Sequence, residues 1–250
     1  MSRTVFGLPV RLAVLVAGCL FFAVPGSWAQ IEIDEPPTPA SSSAENDEHF
    51  DWGPALAQSG FLLGIQHSLR MFQEKTRVLL GGPFWQDYLD ALHGLHGWDD
   101  HNPWITNYLG HPMMGSIAGF IQVQNDPRGR TLEWDPHNRA YWNSRLKGFG
   151  WATGYSTIYE LSPIGEAGIG NVGKTPGTMA FVDLVVTPLG GFGLMLLEDY
   201  IDARVIRKME AGKSPGTVRF LRVLMNPDRA IANMMRLKRP SHRDTRPPPR

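Results

Sequence analysis

Cysteine is almost missing from this chain: its 250 residues include one, Cys19. That residue lies in an apolar run, Leu12 to Val24, with Arg3 and Arg11 before it and Ser27-Trp28-Ala29 after it. This is the pattern of a secretory signal peptide over residues 1–29, cut before Gln30. Such cleavage discards the thiol, so the mature chain is expected to have neither a disulfide nor a cysteine nucleophile. Val16-Ala17-Gly18-Cys19 also resembles a lipobox, but apolar Leu20, Phe21 and Phe22 follow it, which favours ordinary cleavage over lipidation of Cys19. Also missing are the H-E-x-x-H zinc helix, the serine elbow and the phosphate-binding glycine loop, so no short motif names a reaction.

Charge of one sign is missing locally rather than overall. Lys+Arg and Asp+Glu are both 24, yet residues 30–51 hold seven acids and neither Lys nor Arg. With Pro36, Pro37, Pro39 and three serines, that stretch reads as an acidic, disordered linker. The other end is basic, and residues 237–250 read as a Pro/Arg tail, either solvated or drawn to anionic lipid headgroups. Membrane lipids are the expected partner. No nucleic acid and no cofactor are expected, and nothing identifies a protein partner.

Between the tails, alternating patterns are scarce and the hydrophobic period is helical. Helices are predicted at 53–78, 84–94, 104–124, 137–161, 178–210 and 215–236, in one domain over 52–236. Trp104 to Asn125 has no Asp, Glu, Lys or Arg, and Thr178 to Leu197 has only Asp183. Each matches the roughly twenty residues that span a hydrocarbon core. Gly60/Gly64, Gly115/Gly119 and Gly150/Gly154 are G-x-x-x-G pairs, which allow close backbone approach between helices in lipid. The expected fold is all-α: a small, membrane-embedded helical bundle with disordered terminal tails.

Ionisable groups on apolar helices are expensive, so they face the bundle interior and pair with one another or do chemistry. His111, Glu160 and Asp183 are the three such groups here, and they are the candidate catalytic residues. His111 precedes Pro112 and is expected at a helix start. Asn107, Arg145, Glu166 and Thr187 are the expected supporting polar cluster, Thr187 sharing a helix face with Asp183. His93, His96, Asp99, Asp100 and His101 offer metal-ligand types within nine positions, but in a glycine-broken, loop-like run. They are weak candidates, and no metal is expected.

The order of Asn107-x3-His111-Pro112-x2-Gly115, then Tyr141, Trp142 and Arg145, then Tyr159-Glu160 with Glu166, then Asp183-x3-Thr187-Pro188-x-Gly190-Gly191 has a likeness. It resembles the bacterial domain-of-unknown-function family numbered three-nine-four-three, over about residues 98–200. The resemblance implies an envelope location and a helical core, and no catalytic role comes with it. Two functions follow from the residues. One is a structural or assembly role in the cell envelope. The other is a hydrolase or transferase acting on envelope lipids through His111, Glu160 and Asp183.

Overall fold

A computed structural model describes residues 49–72 and 82–247, and among them every regular element is helical and no strand occurs. The expected signal peptide with Cys19, most of the acidic linker, and residues 73–78 of the first predicted helix lie outside the described residues. The long helices are α1 (Trp52–Arg70), α3 (His111–Asn125), α4 (Arg139–Leu161) and α6 (Phe181–Ile201). Shorter ones are α2 (Phe84–His93), α5 (Glu166–Ile169), α7 (Arg207–Glu210), α8 (Pro215–Leu224) and α9 (Pro227–Met235).

Local chemistry explains most boundaries. The Asn138 side chain accepts from Ala140 N at 2.9 Å and opens α4. Pro163 follows its last turn, where a helix cannot continue comfortably. Ser214 accepts from Thr217 N at 3.3 Å and Pro215 occupies the first turn of α8. Asn226-Pro227 divides the predicted 215–236 helix in two, because proline has no N–H for the ladder and instead starts α9.

Helix α3 is the hub. It packs against α6, α4, α9 and α1, and Ile117, Phe120 and Ile121 along it are all buried in the main core. Its lack of charge is therefore explained by protein on all sides, as for any enclosed helix. Helices α3 and α6 run parallel with α4 antiparallel to both. Gly115 lies against Thr187 and Gly191, while Gly119 faces Gly148. A Cβ on Gly115 would come 2.0 Å from the Thr187 carbonyl oxygen, so the two backbones touch there. The Gly150/Gly154 pair is different, with nothing within 4 Å of an added Cβ. That pair opens onto an apolar groove of about 340 Å³ between α1 and α4.

Two expectations change. Among the described residues, one helical stretch, Phe181–Glu210, is long and apolar enough to cross a membrane, where two had been expected. The C-terminal segment is not a loose tail as far as residue 247. Arg243 Nε reaches Asp202 Oδ1 at 2.8 Å, Arg246 pairs with the same carboxylate, and Arg236 pairs with Asp244 at 2.6 Å. Its arginines are held because buried acids on preceding helices need partners.

Candidate functional site

The N-terminal ends of α3 and α6 meet the C-terminal end of α4, and this junction gathers the three ionisable groups of the apolar helices. One ligand-type atom from each of His111, Glu160 and Asp183 lies within 4.8 Å of the others. His111 Nε2 is 3.4 Å from Asp183 Oδ1. On the other side of the ring, His111 Nδ1 is 3.2 Å from Thr187 Oγ1, one turn along α6 from Asp183. The Gly115–Thr187 backbone contact sets this register, because a larger residue at either glycine would push α3 away from α6. Glu160 and Asp183 are buried at 3% and 4% exposure, and His111 is the shallower member.

His111 begins α3, as the proline beside it suggested, but it is not a free helix end. Trp104 and Ile105 are already helical, and residues Thr106–Gly110 form a π turn, with His111 N donating to the Thr106 carbonyl. The wider turn gives the Pro112 ring room that an unbroken α ladder denies it, and such π turns recur at functional sites.

A cleft of about 550 Å³ opens beside His111, with Arg70, Asp100, Tyr159 and Glu166 among its walls. Arg70 forms an ion pair with Glu166 and is 6% exposed. Its Nε and Nη2 have no hydrogen-bond partner among the described residues. One turn back on the same face, Gln66 accepts the hydroxyl proton of buried Tyr155. Burial pushes the Tyr159 hydroxyl well above its ordinary range; nearby Arg70 opposes this, and Glu160 and Asp183 add to it. His67, behind this wall, has Nε2 2.8 Å from the Ile164 carbonyl oxygen, and burial depresses its pKa to about 4.

Of the expected supporting cluster, Thr187 touches His111 and Glu166 reaches the cleft through Arg70. Asn107, buried behind the wall rather than lining the cleft, donates to Asp100 Oδ1 at 2.6 Å. Arg145 does not belong to it. Its Nε is 2.6 Å from Asp199 Oδ2, and its other nitrogens donate to the carbonyls of Gly129 and Leu132 at 3.1 and 2.8 Å. That is the opposite end of α6, since α4 runs antiparallel and position 145 is four turns before Glu160.

The weak metal candidates do not assemble among the described residues. His93 and His96 are exposed, and His96 Nδ1 is engaged with the Gly94 carbonyl at 2.5 Å. His101, at φ 63°, turns Nδ1 to the Gly177 carbonyl at 2.8 Å, and Asp99 accepts from His101 N. Asp100 is buried and taken up by Asn102 and Asn107. The run is a loop whose polar groups satisfy its own backbone.

Sequence reasoning missed Arg70 and Gln66. The available signal was Gln66 and Arg70 four apart on one face of α1. No family model matches the chain, and neither a curated protein nor a solved structure does.

Proposed function

We propose that the chain is an exported enzyme of the bacterial cell envelope, a hydrolase or transferase that works on lipids at a membrane surface. The observation carrying this reading is the convergence of His111, Glu160 and Asp183 beside an open cleft. A purely structural polar network has no need of a cleft, whereas a reacting centre needs access. The centre takes the proton from a water or hydroxyl attacking an ester bond and returns it to the leaving oxygen. Arg70, buried with two donor nitrogens unused among the described residues, suits an anionic group on the substrate.

The mouth of the cleft supports lipid as the source of that substrate. Leu69 lines the cleft and is exposed, and Trp104 and Ile105 are exposed next to the lining residues Pro103 and Thr106. Trp104 stacks on Tyr108 with centroids 5.7 Å apart, the amphipathic aromatic type that membrane interfaces favour. The signal-peptide pattern and the apolar stretch Phe181–Glu210 agree with an envelope location.

The test is to incubate purified protein with mixed micelles of an anionic-lipid extract and follow released acyl chains or headgroups by mass spectrometry. Turnover that His111→Ala abolishes, while the variant still folds and accumulates, supports the reading. No turnover by wild-type protein, with loss of folding in His111→Ala, supports the alternative structural or assembly role. That alternative is favoured by the depth at which Glu160 and Asp183 are buried.

A further inference from the structure

We infer that His111, Glu160 and Asp183 are the ligands of a single divalent metal ion of the zinc class, and that its remaining coordination position serves the cleft. The inference rests on the reading of this centre as the working site. Its first support is the donor set: one imidazole and two carboxylates, supplied by three different helices and gathered within 4.8 Å. Borderline first-row ions such as zinc accept nitrogen and carboxylate oxygen together, and catalytic sites use three protein ligands with a fourth place left open.

Distance separates a metal site from a simple ion pair. At 3.4 Å, His111 Nε2 and Asp183 Oδ1 are farther apart than the roughly 2.7–2.9 Å of a charge-assisted hydrogen bond. Two ligands about 2.1 Å from a tetrahedral ion are themselves about 3.4 Å apart. Thr187 then has an outer role. With Oγ1 3.2 Å from His111 Nδ1, it can accept that proton, fix the ring and leave Nε2 as the ligating nitrogen. Charge points the same way, because two buried carboxylates this close repel unless a proton or a cation lies between them. A divalent ion answers both charges at once.

The second, independent support is Arg70. It shares the cleft wall with His111, is 94% buried, and keeps Nε and Nη2 without a partner among the described residues. Glu166 takes one edge of this guanidinium, and the two remaining nitrogens suit a further anion in the cleft that His111 also lines. The ligand class is therefore an oxyanion, phosphoryl or carboxylate, held between the ion and Arg70.

The experiment uses the full chain purified in detergent without chelator. Metal content is read by plasma mass spectrometry, and EDTA-stripped protein is titrated with zinc sulfate and with manganese chloride by calorimetry. The expected result is about one ion per chain, with affinity at least about tenfold weaker in Asp183→Asn and in His111→Gln. Arg70→Gln is expected to keep the metal but to weaken competition by inorganic phosphate against turnover. Cobalt(II) substitution of wild-type protein should give visible absorption bands of a low-coordinate site, a readout that survives if a variant fails to fold. Folded wild-type protein that binds none of these ions overturns the inference, as does binding left unchanged in both ligand variants. Lipid turnover that persists in protein shown to be metal-free also overturns it, while leaving the enzymatic reading intact. Metal bound as described, with no turnover of any envelope lipid, upholds the metal site and removes the enzymatic reading.

Discussion

Helix α6 carries acids at both ends, and its two ends handle them differently. At the C-terminal end, Asp199 receives Arg145 and Arg229 together with the Tyr141 hydroxyl, and Asp202 receives Arg243 and Arg246. Asp199 and Asp202 are each matched by more than one guanidinium, and buried Glu198 beside them accepts the backbone N–H groups of Asp228 and Arg229. At the N-terminal end, Asp183 meets an imidazole and a second carboxyl group instead, beside a cleft. Matched charge locks helices in register, while the Asp183 end gathers two carboxyl groups around one imidazole. On the proposed reading, one end of this helix holds and the other works.

The largest expected effect is at the matched end. Asp199→Asn removes the charge on which two buried arginines depend, and breaking a buried pair costs about 3–5 kcal/mol. Urea unfolding should show it, with a fall in accumulation. The same change at Asp183, measured in EDTA, is expected to alter stability by about 1 kcal/mol or less, since it relieves a like-charge contact. Equal losses at both positions would break the comparison.

Next comes pH. The fold keeps His67 neutral down to about pH 4, against the usual 6.5, by burying it. The unfolded chain takes up a proton below 6.5 that the folded chain refuses. Stability contributed by His67 is therefore lost as pH falls from 6.5 towards 4 and changes little below that. The full effect is on the order of 3 kcal/mol. The check is the difference between the stability–pH curves of wild type and His67→Gln. A difference that is flat over this window would show that His67 is not sequestered behind the cleft wall.

Glycine substitutions sharpen the comparison further. Gly115→Ala forces a Cβ against the Thr187 carbonyl and should cost about 1–3 kcal/mol by overpacking, with turnover falling because Thr187 carries the His111 ring. Gly154→Ala meets nothing within 4 Å and should be the smallest effect, a gain of up to about 1 kcal/mol from helix propensity. Thermal unfolding of both variants distinguishes these signs. A destabilised Gly154→Ala would mean that the open groove on α4 is closed in solution.

The helices were readable because their signals are local. Proline spacing, Asn138 and apolar period place α4, and the continuous helical stretch from α6 through α7, close to their observed limits. The His111, Glu160 and Asp183 group was readable for an energetic reason, since ionisable residues on three apolar helices have few places to go but toward each other. Arg145 misled because proximity to the motifs in sequence says nothing of which end of an antiparallel helix it occupies. The basic C-terminal stretch misled for a related reason: its partners, Asp202 and Glu210, lie far upstream, and a sequence shows the arginines without the acids they meet. Arg70 was hidden by its helix, whose composition matches that of any core-facing helix.

The docking of Arg243 and Arg246 onto Asp202 also orders events in time. A chain made N-terminus first presents Asp202, at the end of α6, long before either arginine emerges. Until they do, the end of the central helix holds a carboxylate that is costly to bury. The end of α6 is therefore fully secured only after residues 41 and 44 positions further along the chain have been made.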